Sequence, residues 1–119
     1  MTDVTGFGLL GHLSGIGEAS GTGATLELAD IPLMDGALTL AEAGQHSTLL
    51  RDNIAGSGPV TGPMGARTDL LYDPQTAGGL LAAVAAEDAA QIVARLRDAG
   101  YARAAIIGTV TDAPGITLV

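Results

Sequence analysis

The residues best suited to chemistry lie in a glycine-rich stretch near the start of the chain, residues 2–12, with the sequence TDVTGFGLLGH. Gly6, Gly8 and Gly11 reproduce the G-x-G-x-x-G spacing of dinucleotide-binding proteins, and Asp30 follows at about the distance of their acidic residue. In those proteins a buried strand leads directly into the glycines, whereas five residues precede Gly6 here. Dinucleotide binding therefore remains a minor alternative.

The polar residues of this stretch are open to two interpretations. A helix that begins here would present free N–H groups and its positive dipole end near Thr5 and Gly6, an arrangement that suits a phosphate. Asp3 would then be placed to bind a Mg²⁺ ion that bridges phosphate oxygens. Alternatively, Asp3 or Thr5 caps the first turn of the helix and has no further function.

A second stretch with chemical potential is residues 73–79, DPQTAGG, between two apolar segments. Asp followed by Pro is typical of the first positions of a type I turn, so a simple connection is one interpretation. The pair Gly78 and Gly79 also allows a ligand to approach the backbone closely. Gln75 and Thr76 add more polar groups than a turn requires, which favours a loop that lines a cleft.

Several other kinds of site are not expected from this sequence. The chain has no Cys, which excludes a disulfide framework, a thiolate nucleophile and a Cys-based zinc site. His12 and His46 lack the HExxH spacing of a two-His metal site. No Ser lies in the G-x-S-x-G context of hydrolases.

The charge of the chain limits its partners. Thirteen acidic residues face five Arg and no Lys, so the formal net charge is −8. Such a surface repels nucleic acids and anionic membranes, and we expect neither as a partner. The sequence also lacks a membrane-spanning stretch and a signal peptide pattern, which predicts a cytoplasmic protein.

Hydrophobic periodicity predicts the elements that must position these residues, and the few aromatic residues imply an aliphatic core. Helices are predicted over residues 5–20, 34–43 and 86–99, with a short helix around residues 47–54 of the loop-rich segment 45–65. Strands are predicted over residues 24–29, 67–72, 80–84, 104–111 and 115–119, the last two as a strand pair. This order predicts an α+β domain with a mixed or antiparallel sheet.

Three strings together resemble the C-terminal domain of the selenophosphate synthetase (selenide, water dikinase) family. They are TDVTGFGLLGHL at residues 2–13, ADIPLMDGALTLAEAG at residues 29–44 and LYDPQTAGGLLAAV at residues 71–84. The resemblance implies a three-layer α/β/α domain of the aminoimidazole ribonucleotide (AIR) synthetase-related type, with a mixed sheet and partial ferredoxin-like topology. Residues 1–119 would form this single domain, and the family's N-terminal ATP-binding domain would be absent.

The resemblance also implies an activity, in which ATP, selenide and water give selenophosphate, AMP and phosphate with Mg²⁺ as cofactor. Asp3 matches the family's Mg²⁺ ligand in the TDVTGFG string. Ala77 replaces a Ser that is usual in the family. The residues expected to line the same cleft are Thr5 and Gly6 near the ATP phosphates, and Gln75, Thr76, Gly78 and Gly79 in the second loop.

The family's reactive Cys or selenocysteine and its partner Lys belong to the N-terminal part, so we expect no catalytic residue in this chain. The chain would be inactive alone and would need that domain in cis or in trans, with a homodimer at full length. Two alternatives remain open at this stage. One is a non-catalytic partner-binding domain, and the other is a fragment of a different ATP- or dinucleotide-binding enzyme.

Overall fold

The computed structural model describes residues 1–119. Its helices and strands alternate irregularly along the chain, and most strands are short. The helices are α1 (Gly8–Ser20), α2 (Ala37–Glu42), α3 (Leu50–Gly56), α4 (Ala66–Asp69) and α5 (Ala86–Asp98). The strands are β1 (Thr2–Asp3), β2 (Gly23–Leu26), β3 (Val60–Thr61), β4 (Leu80–Leu81), β5 (Gly108–Thr111) and β6 (Gly115–Leu118). Two 3-10 turns occupy Leu28–Asp30 and Leu70–Tyr72.

The main sheet has four strands in the order β3-β6-β2-β5. The central strand β2 pairs parallel with β6 and antiparallel with β5, and β3 pairs parallel with β6. Strands β1 and β4 form a separate antiparallel ribbon in which Asp3 lies opposite Leu80. The predicted α+β class with a mixed sheet is confirmed.

The core is aliphatic, as the composition predicts, with Tyr72 as its aromatic member. Helix α1 contributes Leu10, which is completely buried, and the central sheet contributes Leu26 and Leu118. Burying such side chains is the main source of stability in a domain of this size. None of the five helices has the length and hydrophobicity that a bilayer crossing requires.

The predicted strand over residues 67–72 is wrong, because this segment forms α4 and a 3-10 turn. The N–H of Asp69 donates to the carbonyl of Gly65, and the hydroxyl of the buried Thr68 donates to the carbonyl of Pro63 at 2.8 Å. These local bonds stabilise a helical turn that still buries Leu71 and Tyr72. Apolar periodicity over so few residues does not distinguish the two conformations.

The predicted pairing of the last two strands is also wrong. Strands β5 and β6 do not pair with each other, because β2 lies between them and pairs with both. Gly23 lies opposite Thr111 on one side and Gly115 on the other. Its missing side chain leaves room for the connection that passes the end of β2. The strand predicted over residues 80–84 is reduced to Leu80–Leu81.

The predicted helices are all present, with shorter boundaries for most. The helix predicted from residue 5 begins at Gly8, and the one predicted over residues 86–99 spans Ala86–Asp98. The apolar face of α5 is only partly covered, since Ile92 and Val93 are half-buried and Leu96 is 38% exposed. Helix α5 therefore contributes no fully buried residue to the core.

Candidate functional site

The two glycine-containing stretches, far apart in sequence, lie side by side in the structure. We call residues 2–12 the N-terminal motif and residues 73–79 the second loop. The N–H of Val4 donates to the carbonyl of Gly79 at 2.9 Å, and the N–H of Gln75 donates to the carbonyl of Thr5 at 3.0 Å. Together with the β1–β4 ribbon, these bonds hold the two segments main chain to main chain.

Glycine permits this close contact at two positions. Gly8 has a φ of +68°, and a Cβ atom there would lie 2.6 Å from the carbonyl carbon of Tyr72. A Cβ atom at Gly78 would collide with the carbonyl oxygen of Val4. Gly78, predicted to line a cleft, is therefore explained by backbone packing between the two stretches.

Gly6 and Gly79 differ from these two glycines, because nothing lies within 4 Å of a Cβ atom built on either one. Both residues are exposed, as is Thr76 in the second loop. Gln75 is half-buried, and its side-chain amide donates to the carbonyl of Asp73 at 3.3 Å. Open space thus surrounds the Cα atoms of the two glycines, although the carbonyl of Gly79 accepts the N–H of Val4.

Asp3 is exposed on the β1–β4 ribbon, and its carboxylate makes no hydrogen bond or ion pair within the chain. The hydroxyl of Thr2 donates to the backbone carbonyl of Asp3, not to its side chain. The interpretation of Asp3 or Thr5 as a helix cap is wrong, because α1 starts at Gly8 and Phe7 is its N-cap residue without a side-chain cap. The carboxylate of Asp3 remains free to bind a cation.

Thr5 is bound by His12, a contact that the sequence did not indicate. The Nε2 atom of His12 accepts the backbone N–H of Thr5 at 3.0 Å and lies 3.0 Å from its hydroxyl oxygen. The ring proton is accordingly assigned to Nδ1 in the neutral imidazole. His12 lies in the second turn of α1 and therefore fixes the segment that leads into the helix.

Asn53 is a second residue that the sequence analysis missed. It lies on α3 within the segment 45–65, and its side-chain nitrogen donates to the carbonyls of Gly6 and Tyr72 at 2.9 and 2.8 Å. The sequence pattern that could have identified Asn53 is its spacing, because it lies three residues after Leu50 and so on the same inward face of a short helix. A polar residue at such a buried position requires hydrogen-bond partners.

Burial raises the pKa of Tyr72, which precedes the second loop, above the usual value for tyrosine. The negative charge of Asp69 adds to the effect in the same direction. Because both causes disfavour the phenolate, Tyr72 is a neutral core residue and not an acid or base at ordinary pH.

The donor set for a metal ion within this chain is small. No three residues among His, Asp and Glu come together in a group that could hold a metal ion. Mg²⁺ prefers six oxygen ligands and commonly binds through one or two carboxylates together with substrate phosphates and water. Asp3 supplies a single carboxylate, which is fewer ligands than a Mg²⁺ ion requires.

The dinucleotide interpretation of the glycine spacing lacks its structural context. Strand β1 has two residues and belongs to an antiparallel ribbon separate from the sheet that contains β2. A dinucleotide fingerprint requires a strand, the glycines and a helix within one parallel unit. The position of Asp30 after β2 is therefore not evidence for dinucleotide binding.

A comparison with protein families identifies the domain. The model of the AIR synthase related protein, C-terminal domain, matches residues 1–119, the whole chain. The chain belongs to this family. This match confirms the resemblance seen in the sequence. The α+β fold of the structure is consistent with the AIR synthase related domain.

Several relatives of this domain carry the same name. The chain is 42% identical over 118 residues to a selenide, water dikinase of Pelobacter propionicus, covering 95% of the chain and 34% of that protein. It is 45% identical over 114 residues to a selenide, water dikinase of Rhizobium meliloti, covering 92% of the chain and 32% of that protein. The chain thus spans about a third of the length of these relatives.

Proposed function

We propose that this AIR synthase related domain is the C-terminal domain of a selenide, water dikinase, and that Asp3 is one ligand of the Mg²⁺ ion that accompanies ATP. The observation that carries the proposal is the free, exposed carboxylate of Asp3 on a ribbon bonded to the second loop. The relatives carry the name selenide, water dikinase. The reaction in this proposal is the one that the sequence resemblance implies, in which ATP, selenide and water give selenophosphate, AMP and phosphate.

The residues of this chain would act by binding and orientation. A bound Mg²⁺ ion would screen the phosphate charges from a domain whose net charge is −8. The N-terminus of α1 has no side-chain cap, although the N–H of Gly8 donates to the carbonyl of Thr5 at 3.1 Å. The positive dipole end of α1 would favour an anion beside the exposed Gly6. Thr5, held by His12, and Gln75 and Thr76 of the second loop would border the same cleft.

The remaining groups belong, in this proposal, to an N-terminal domain supplied in cis or in trans. That domain would provide the other Mg²⁺ ligands and the reacting Cys or selenocysteine with its Lys. The chain contains neither Cys nor Lys. We expect a homodimer for the full-length enzyme and no activity from the 119 residues alone.

The test is a chimera in which this chain replaces the matching third of the Pelobacter propionicus relative. We expect ATP-dependent selenophosphate formation, followed by ³¹P NMR, and at least an approximately hundredfold loss in the Asp3→Asn variant. Asp112→Asn, which changes an exposed carboxylate in the β5–β6 turn, is the control and should retain activity. A folded but inactive chimera, or equal activity in both variants, would contradict the proposal.

A non-catalytic partner-binding domain is the second candidate, and the surface of α5 favours it. A concavity of about 550 Å³ lies between α5 and the segments around Asp30 and Ile106, away from the two motifs. Ile106 lines this concavity and is 49% exposed, and Leu96, which is 38% exposed, lines a separate hollow on α5. A folded chimera without activity would favour this candidate.

A further inference from the structure

We propose that Asn53 is the positioning residue that sets the N-terminal motif against the second loop, and hence the place of Asp3 in the site. Its effect on the reaction rests on the proposed function, whereas its effect on the geometry of the two segments does not. No motif pointed to Asn53, which lies in the segment 45–65 whose role the sequence left open.

The argument begins with the two hydrogen bonds of one side-chain nitrogen. The Nδ2 atom of Asn53 donates to the carbonyl of Gly6 at 2.9 Å and to the carbonyl of Tyr72 at 2.8 Å. An amide group carries two N–H donors on a single nitrogen, so both are used. Asn53 is 7% exposed, and water therefore cannot easily replace these bonds.

The two carbonyls occupy the junctions between rigid elements and the candidate site. Gly6 directly precedes Phe7, the N-cap residue of α1, so its carbonyl lies outside the hydrogen bonds of the helix. Tyr72 is the last residue of its 3-10 turn and directly precedes the second loop. A bond to both carbonyls therefore fixes where each functional stretch leaves its supporting element.

Helix α3 holds Asn53 in place. The N–H of Asn53 donates to the carbonyl of Leu49 at 2.9 Å. The backbone N–H and the hydroxyl of Ser57 both donate to the carbonyl of Asn53, at 3.0 and 2.8 Å. Because its backbone is bonded on both sides, the side chain has little freedom to follow a displaced carbonyl. Helix α3 thus acts as the support of the site.

Few side chains can replace Asn in this role. An ionised carboxylate of the same shape only accepts hydrogen bonds, and it would face two carbonyl oxygens. Asn53→Asp therefore removes both bonds when the carboxyl is ionised and keeps at most one when it is protonated, with little change in side-chain volume. Asn53→Ala removes the bonds without adding charge, which keeps the test decisive if the charged variant does not fold.

The first experiment measures amide hydrogen exchange by NMR in the 119-residue chain. The reporters are the N–H groups of Val4 and Gln75, which join the two segments directly. In Asn53→Asp and Asn53→Ala we expect their protection to fall at least about tenfold more than that of the core amide of Leu118. Protection that falls equally at all three amides would overturn the proposal.

The matched control is Thr68→Val, which also removes a buried hydrogen bond to a carbonyl. The hydroxyl of Thr68 donates to Pro63 within its own segment, and Thr68 is 2% exposed. This variant should change stability without a selective loss of protection at Val4 and Gln75. The same selective loss in the control would show that any buried defect loosens the site, and would overturn the role of Asn53.

The second experiment uses the chimera and separates kcat from KM. With Asn53→Ala we expect kcat at saturating ATP to fall by about tenfold or more, because Asp3 moves relative to the phosphates. The KM for selenide should remain unchanged, and Thr68→Val should retain kcat. Selective loss of amide protection with an unchanged kcat would overturn the positioning role. An inactive parent chimera would refute the proposed function. The hydrogen-exchange data would still test whether Asn53 holds the N-terminal motif against the second loop.

Discussion

Side chains with no expected contact to a substrate hold the candidate site together. The Nε2 atom of His12 accepts the N–H of Thr5 and lies 3.0 Å from its hydroxyl oxygen, and Asn53 donates to the carbonyl of the next residue, Gly6. The short segment between β1 and α1 is consequently fixed by two side chains from different helices. A loop fixed in this way holds the backbone that follows Asp3 in place, while the exposed carboxylate of Asp3 has no partner within the chain.

Tyr72 provides a test of this packing through pH. Burial, followed by the charge of Asp69, raises the pKa of Tyr72 above the usual 10.0. The folded state therefore retains the proton more tightly than the unfolded chain. The stabilisation that the neutral phenol of Tyr72 provides is complete at pH values below the pKa of Tyr72 in the unfolded chain. It is lost as the pH rises through the higher pKa of Tyr72 in the folded state. We expect the Tm to fall above about pH 10, where a chain without Lys has few other groups to titrate.

Two Phe variants assign this alkaline effect, measured by thermal melts followed by circular dichroism. Tyr72→Phe should remove much of the fall in Tm, because it removes the phenol that resists ionisation. Tyr101→Phe changes a tyrosine that is 66% exposed and should leave the fall intact. The opposite pattern in the two variants would show that the buried phenol is not the group responsible.

Helix α1 shows how a tertiary contact decides where an element begins. Periodicity predicted a helix from residue 5, and Leu9, Leu10 and Leu13 do lie on its packed face. The helix nevertheless begins at Gly8, whose positive φ lets the chain pass directly over the backbone at Tyr72. The contact between distant segments, not the local preference of the residues, sets this boundary.

A pair of glycine variants tests this boundary by urea denaturation. Gly8→Ala places a Cβ atom against the backbone of Tyr72 in a left-handed conformation, and we expect it to lower the free energy of unfolding by at least about 2 kcal/mol. Gly15→Ala, with open space around the same helix, should raise that free energy by up to about 1 kcal/mol. Similar effects of the two substitutions would contradict the close approach at Gly8.

At the scale of the whole molecule, the groups that the proposed function assigns to this chain form only part of a binding site. The net charge of the chain is −8, and its acidic and His residues form no cluster of three that could hold a metal ion. One face of α5 remains partly uncovered, and the relatives are about three times as long. These features agree with a domain that completes its site with other polypeptide segments.

Isothermal titration of the isolated chain with Mg-ATP tests this incompleteness. We expect no saturation below about 1 mM, because one carboxylate and one helix N-terminus do not offset the repulsion between an anionic domain and an anionic nucleotide. The parent chimera serves as the positive control. Tight binding by the 119 residues alone would show that the chain holds a complete site.

The sequence was sufficient for the features that depend on local pattern. Helix α5 follows from its apolar spacing, and the two motifs, including the acid at Asp3, could be recognised from residue types alone. The α+β class followed from the order of elements, and the family from three short strings. These features can be predicted from sequence because they depend on residues that are close together in the chain.

Long-range contacts decided the rest. The insertion of β2 between β5 and β6, the helical turn of α4, and the bonds from His12 and Asn53 all arise from partners that residue spacing does not specify. The two motifs became one candidate site because Val4 binds Gly79 and Gln75 binds Thr5. Hydrogen bonds across such separations depend on how the whole chain packs its core, so tertiary structure alone brings these groups together.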